Sequence, residues 1–232
     1  MAYRTGSVQT FSSGAQNTTT FVINSPVGVQ NGDIVIIGVF STTNGGLTTI
    51  SCPGFTLGDS IHQSTAINQG PHCNLGWLWK VASSEPGTYT VTASPAPFTD
   101  LESFSAAWTG RNTSATITAN SQTLAAGTSA PVSYNLTQVT AAAGDDLIAM
   151  VIANQDSTCT FTPAASFTTG VAIQTATPFG NAYFCYRDGV SGGATGAVNV
   201  LEQTGVGTDR IGFLVSLAQA SGGGTASIAW VT

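Results

Sequence analysis

Charge is the scarcest property of this 232-residue chain, because only 7% of its residues are Asp, Glu, Lys or Arg. Soluble domains usually contain about 25%. Five Lys and Arg residues cannot form the basic surface that nucleic acids require, so we expect no nucleic-acid partner. Neutral polar side chains must solvate most of the surface. Covering such a surface with a neighbouring protein desolvates few charges.

Long apolar runs are also missing. The longest, Ile34–Phe40, has the length of a β-strand and is far shorter than a membrane-spanning helix. No basic amphipathic segment is present, so we expect no membrane partner. Residues 1–7 contain no hydrophobic segment, and we therefore expect no secretory signal.

Motifs for nucleophilic catalysis and for zinc binding are absent. The chain has no Gly-x-Ser-x-Gly motif, and its two histidines leave few candidates for a general base. The spacing of His62, His72, Cys73 and Cys52 matches none of the common tetrahedral zinc patterns. We therefore predict no catalytic residue, no metal site and no cofactor.

Carboxylates are the remaining candidates for acid–base chemistry, because a glycosidase needs two of them. Their spacing marks no pair, and we expect them to lie in solvated loops. The candidates are Asp33, Asp59, Glu85, Asp100 and Glu102.

The four cysteines fall two in each half of the chain. Two disulfides, Cys52–Cys73 and Cys159–Cys185, are one interpretation, although four cysteines allow three connectivities. The alternative is four buried free thiols, which behave as small apolar side chains.

The strongest positive signal is an internal repeat. Residues 27–40 return as residues 139–152, so that Gly32-Asp33 corresponds to Gly144-Asp145 at an offset of 112 residues. Later segments correspond at offsets of 107 to 109, and the repeats span about 13–112 and 125–220. Because the Gly-Asp pair occurs in both repeats, we interpret it as a tight turn and not as a calcium or catalytic site.

Short β-branched segments separated by Gly, Pro, Asn and Ser predict an all-β fold. We expect one antiparallel β-sandwich over residues 1–220, built from the two halves. Residues 221–232 form a Gly-rich joint and one more short strand, which can pair with its own sheet or with another subunit through Ile228, Trp230 and Val231. The ten clearest strands are predicted near Thr18–Asn24, Asp33–Ser41, Gly76–Val81, Thr88–Ala93, Ser103–Thr109, Val132–Leu136, Asp146–Ala153, Ala182–Arg187, Ala197–Leu201 and Ile211–Ala218. Weaker strand patterns occur near Ser7–Phe11, Ser60–Asn68, Thr116–Ala119 and Val171–Thr177.

Aromatic residues suggest a second type of function, because exposed rings on a β-sandwich can stack on sugars. Apolar residues replace Trp77 and Trp108 at the corresponding positions of the second repeat, which favours a core role for both. For Trp79 and Trp230, the choice between core packing and sugar binding stays open. The single lysine, Lys80, corresponds to Arg187, so a cation at a strand end explains both positions better than an isopeptide crosslink.

Four motifs of the first repeat together resemble a β-sandwich (jelly-roll-like) module of tailed-bacteriophage virion proteins. They are Pro26–Asp33 before an apolar strand, Pro53–Thr56, Trp77–Ala82 and Gly87–Val91. The resemblance implies a non-enzymatic structural protein: a capsid decoration or cement protein, a head fibre or a tail appendage.

Further expectations follow from this resemblance. The partners would be the major capsid protein or other virion proteins, and we expect a homo-oligomer. The protein would be assembled in the host cytoplasm and exposed on the virion surface. The alternative is a carbohydrate-binding tail or surface adhesin module that binds host glycans.

Overall fold

The computed structural model describes residues 2–13, 18–43, 49–62, 72–94, 98, 100–111, 118–124, 130–155, 159–174, 180–204 and 207–220. Within these ranges the regular structure is all β, which confirms the predicted fold class, and no helix is long and apolar enough to cross a membrane. The strands are β1 Gln9–Ser13, β2 Thr20–Asn24, β3 Ile34–Thr43, β4 Thr49–Ser51, β5 Thr56–His62, β6 His72–Val81, β7 Thr88–Ser94, β8 Asp100–Trp108, β9 Thr118–Leu124, β10 Val132–Leu136, β11 Thr140–Ala143, β12 Asp146–Gln155, β13 Phe161–Thr162, β14 Thr168–Gln174, β15 Gly180–Arg187, β16 Ser191–Ala194, β17 Val198–Glu202 and β18 Gly207–Leu217.

Each half of the chain contributes one five-stranded and one three-stranded antiparallel sheet. In the first half these are inner sheet 1, with the order β1-β8-β3-β6-β5, and outer sheet 1, with the order β2-β7-β4. In the second half they are inner sheet 2, ordered β14-β15-β12-β18-β9, and outer sheet 2, ordered β10-β17-β13. Strands β11 and β16 form an additional two-stranded sheet in the second half.

The two inner sheets have corresponding strand orders. Read from β9, inner sheet 2 runs β9-β18-β12-β15-β14, and these strands take the places of β1, β8, β3, β6 and β5 in inner sheet 1. The registers also correspond, since Val35 of β3 pairs with Lys80 of β6, and Leu147 of β12 pairs with Arg187 of β15. Duplication of one ancestral unit would produce this arrangement. The duplication itself stays an inference from the sequence.

Three apolar cores hold four layers of sheet together. Outer core 1 lies in the first half between its two sheets, and outer core 2 lies in the second half. The central core joins the inner sheets of both halves. The inner sheets of the two halves pack face to face, which is consistent with the expected β-sandwich, and each half adds an outer sheet. The outer sheets include short strands such as β4 and β13, which carry too few residues to give a clear sequence pattern.

Aromatic side chains from both halves meet in the central core. Phe104 of β8 stacks on Phe184 of β15, with their ring centroids 4.2 Å apart. Tyr3 packs between the halves, with its ring centroid 5.4 Å from Trp108 and 4.2 Å from Tyr186. Burial of this apolar surface stabilises the contact between the halves by about 25 cal/mol per Å².

Each inner sheet has a bulge at a glycine that lies against an aromatic ring. The pairing of β5 with β6 shifts register at Gly58, beside Trp77, and the pairing of β14 with β15 shifts at Gly170, beside Phe184. A Cβ atom at either glycine would overlap the neighbouring ring. The absence of a side chain therefore allows both rings to fill the central core.

The substitution Gly170→Ala is expected to lower the free energy of unfolding by about 1–3 kcal/mol, because the new methyl group forces the Phe184 ring out of its packed position. Chemical denaturation measures the loss. Gly87→Ala is the matched control, since a Cβ atom at Gly87 would meet nothing within 4 Å. An equal loss from both substitutions would contradict the proposed packing.

Candidate functional site

The two Gly-Asp pairs form tight turns, as the sequence predicts. Their glycines have positive φ angles of 87° and 89°. Oδ2 of Asp33 accepts the N–H of Gln30 at 2.8 Å, and Oδ2 of Asp145 accepts the N–H of Ala142 at 2.7 Å. Both aspartates are buried and serve the turn. Within the described ranges, no group of three or more His, Cys, Asp or Glu side chains is arranged to hold a metal ion.

Four of the five candidate carboxylates lie inside the protein, and the expectation of solvated loops is wrong for them. Asp33, Asp100 and Glu102 are buried, and Glu85 forms an internal ion pair. Only Asp59 is exposed. Asp100 and Glu102 lie on β8, where every residue is buried because inner sheet 1 has an apolar core on each of its faces.

Buried polar groups from both halves meet at the Asp100–Glu102 end of β8. The Cys73 thiol of β6 donates to the carbonyl of Asp209 on β18 at 3.3 Å, and the Glu102 carboxyl adjoins Gly180 of β15. Neither oxygen of Glu102 has a hydrogen-bond partner within the described ranges. Burial and the nearby Asp100 raise the pKa of Glu102 well above its usual value, which favours the protonated form.

A second part of this region is a fully buried ion pair. Nε and Nη2 of Arg210 on β18 each lie 2.8 Å from an oxygen of the Glu202 carboxylate on β17. The Tyr134 hydroxyl donates to Oε2 of Glu202 at 3.0 Å. Donors thus occupy both carboxylate oxygens, and the geometry holds inner sheet 2 against outer sheet 2.

Sequence reasoning missed this polar region because charged residues on strands are normally exposed. One signal was available. Asp100 and Asp209 occupy corresponding positions of the two repeats, at an offset of 109 residues. Both are buried near the start of a central strand, next to Thr42 and Asn154 in the pairing. A carboxylate retained at both positions indicates a structural environment common to both halves.

All four cysteines are free and buried, so the candidate pairs Cys52–Cys73 and Cys159–Cys185 are not formed in the structure. Cys52 packs in outer core 1, whereas Cys73 lies across inner sheet 1 in the central core. Burial raises the pKa of Cys52 to about 11 and that of Cys185 to about 12. The alternative of four buried free thiols therefore describes these positions.

We expect thiol titration to detect four free thiols in the denatured protein and slow reaction in the native protein. The thiolate is the reactive form, and the raised pKa values keep it scarce near neutral pH. The native rate should rise when denaturant exposes the cores. A count of zero after denaturation without reductant would instead support the two disulfides.

The aromatic residues provide core packing. Trp77 and Trp108 lie in the central core, as their apolar counterparts predict, and Trp79 is partly buried against the same core. Every aromatic side chain in the described ranges is buried or partly buried. None of these described residues therefore provides the fully exposed ring on which a sugar could stack. Ile228, Trp230 and Val231, the candidate partner contact, lie outside the described residues.

The side chain of Lys80 lies in a corner of the first half that its neighbours fill. Its Nζ is 2.9 Å from Oε1 of Glu85 and lies over the rings of Phe55 and Tyr89, at 5.3 and 5.9 Å from their centroids. The Tyr89 hydroxyl donates to Oε2 of Glu85 at 2.6 Å. We call these four residues the Lys80 corner. The ion pair and the aromatic contacts explain why a strand-end cation occurs here.

The second half contains an open cavity of about 220 Å³ beside Arg187. It lies where β15 and β16 adjoin β17, and we call it the Arg187 pocket. Its walls combine apolar side chains with hydroxyl and amide groups. They include Leu147, Phe167, Val190, Ser191, Thr195, Val198 and Asn199.

Comparisons with known proteins add no family assignment. No protein-family model matches the chain, and no curated protein sequence matches it. The resemblance to phage virion modules therefore rests on the four motifs of the first repeat alone.

Proposed function

We propose that the protein is a non-enzymatic structural protein of a tailed-bacteriophage virion, and that it decorates the exterior of the capsid. The observation that carries the proposal is the location of its charges. Of the ten acidic residues in the described ranges, seven are buried. They are Asp33, Asp100, Glu102, Asp145, Asp146, Glu202 and Asp209.

The cations are also used internally. Arg111 and Arg210 are buried, and each forms an ion pair with a buried carboxylate. Arg4 and Lys80 are partly exposed but are paired with Asp33 and Glu85. The described surface is therefore even poorer in charge than the composition indicates.

A surface of this kind suits a protein that covers a large particle. Contact with a capsid desolvates few ions, so the cost of association is low, and apolar and hydrogen-bonded area can supply the attraction. The large apolar residues Val22, Val27 and Leu57 are exposed, and none of them belongs to a described core. The partners on this proposal are the major capsid protein and further copies of this chain, and no cofactor takes part.

We expect binding to bare capsids to change little between about 0.05 and about 1 M NaCl, because few ion pairs at the contact are available for screening. Sedimentation of capsids with bound protein measures it. Release of the protein at moderate salt would show an electrostatic contact and contradict the proposal.

The number of copies in purified particles separates the two functions. Quantitative mass spectrometry should find hundreds of copies for a decoration protein. A handful of copies would favour the tail adhesin, and binding to host glycans would then be the next measurement. Absence from particles would contradict both.

A further inference from the structure

The Arg187 pocket occupies the position in the second half that the Lys80 corner occupies in the first. Lys80 pairs with Val35 on β3, and Arg187 pairs with Leu147 at the corresponding position of β12. In both halves the cation lies near the end of an inner strand, next to the outer sheet. The two sites can therefore be compared residue by residue.

The turn before each edge strand confirms this correspondence. The N–H of Phe55 donates to the carbonyl of Cys52 at 3.0 Å, and the N–H of Phe167 donates to the carbonyl of Ala164 at 2.9 Å. Phe55 lies beneath the Lys80 ammonium, and Phe167 lines the Arg187 pocket. An aromatic wall is thus present in both halves.

Two groups that fill the first site are missing from the second. Tyr89, the second residue of β7, corresponds to Val198, the first residue of β17, at an offset of 109 residues. Glu85 lies on the segment between β6 and β7, and residues 192–194 take its place with the sequence Gly-Gly-Ala. The positions that carry a carboxylate and a phenol ring in the first half therefore carry smaller, uncharged residues in the walls of the pocket.

Arg187 is also exceptional among the cations. The chain has five Lys and Arg residues, and four of them have a carboxylate oxygen within 3.1 Å. Within the described ranges, Arg187 forms no ion pair, although it is partly buried in the wall of a cavity. A guanidinium in this position presents several N–H donors in one plane, which match the two oxygens of a carboxylate.

We propose that the Arg187 pocket binds a small ligand that carries a carboxylate. The ligand carboxylate pairs with the Arg187 guanidinium, as the Glu85 carboxylate pairs with Lys80 in the first half. The body of the ligand takes the space that the Tyr89 ring fills there, against Phe167 and Val198. This inference does not depend on the proposed role in the virion.

Two kinds of small acid share this chemistry. An aryl-alkyl acid would place its ring against Leu147, Phe167 and Val198. A sugar acid would use the hydroxyl and amide groups of Ser191, Thr195 and Asn199. The carboxylate and its pairing with Arg187 are common to both.

The test is a titration of the full chain with 3-phenylpropionate, with its neutral analogue 3-phenylpropanamide, and with glucuronate, followed by NMR. We expect one of the acids to bind saturably, with shifts centred on the backbone amides of Arg187, Phe167 and Val198. If the aryl acid is preferred, it should bind about tenfold or more tightly than its amide, since a charge-assisted hydrogen bond is roughly twice as strong as a neutral one.

Two variants test the two parts of the site. Arg187→Gln removes the charge and should weaken binding of the acid about tenfold or more. Val198→Tyr restores the residue of the first half and should block the pocket while leaving the charge in place. Lys80→Gln is the control for loss of a cation, because it changes the filled site, and it should leave binding unchanged. Thermal melting of each variant verifies that it is folded.

Three results would each overturn the proposal. They are equal binding of the preferred acid by the Arg187→Gln variant, shifts located away from the pocket, and no saturable binding of either acid. Preference for 3-phenylpropionate or for glucuronate identifies which kind of acid the pocket takes.

Discussion

Replacing Phe184 with alanine is expected to lower the free energy of unfolding by about 3–5 kcal/mol. The side chain is completely buried in the central core and stacks on Phe104 of the other half, with 4.2 Å between ring centroids. It also contacts the rings of Tyr3 and Trp108, at centroid distances of 6.4 and 6.5 Å. Because domains are stable by only about 5–15 kcal/mol, this loss would remove a large share of the stability.

The experiment can also show that the halves unfold together. Trp77, Trp79 and Trp108 belong to the first half and lie in or against the central core, whereas the substitution is in the second half. Tryptophan fluorescence and far-ultraviolet circular dichroism should therefore shift together on denaturation. Leu57→Ala, at an exposed position, is the control and should change stability by less than about 0.5 kcal/mol. An unchanged fluorescence transition would indicate two independent domains.

The fold class and the main strands could be predicted because the long central strands β3 and β12 are mainly apolar segments between polar turns. Strand β10 matches its predicted bounds, Val132–Leu136, and the ten predicted strands all occur. Strands β4, β11, β13 and β16 were not predicted, because each has two to four residues and too little burial to show a period. Without them, the sequence could not show that each half closes its own outer core.

The sites were harder to predict, because their properties depend on contacts between distant strands. Glu102 looks like an ordinary polar residue of an alternating segment, and its burial follows only from the inner position of β8 between two cores. The Lys80 and Arg187 positions could be aligned from the sequence. The difference between the two sites depends on the structure, however. Glu85 and Tyr89 surround Lys80 in the first half, whereas a cavity lies beside Arg187 in the second.

The charge-poor sequence and the buried charges together explain how this protein can have few surface ions and still specify one arrangement. Buried ion pairs add little net stability, since desolvation offsets the attraction between the charges. Breaking one of them is costly, however, because the remaining partner is left unpaired in the core. The Arg210–Glu202 pair therefore disfavours alternative registers of β17 and β18.

The substitution Glu202→Leu is expected to lower the free energy of unfolding by about 3–5 kcal/mol, because it leaves the Arg210 guanidinium buried without its carboxylate. The double substitution Glu202→Leu with Arg210→Met removes both charges and should recover most of this loss, since an apolar pair of similar volume is often as stable as a buried ion pair. Chemical denaturation of the wild type, the double variant and both single variants, Glu202→Leu and Arg210→Met, measures these effects and gives the coupling between the positions.

The pair formed by Arg4 and Asp33 provides the comparison for this experiment. Its shortest N–O distance is also 2.8 Å, but the Arg4 side chain is 23% exposed. Arg4→Gln should therefore cost only about 0–1 kcal/mol, because water screens the partly exposed Arg4 guanidinium and the Asp33 carboxylate keeps the N–H of Gln30 as a donor. Two results would contradict the expected effect of burial on the Arg210–Glu202 pair. One is a loss of unfolding free energy from Glu202→Leu that is no larger than the loss from Arg4→Gln. The other is a further loss when Arg210→Met is added to Glu202→Leu.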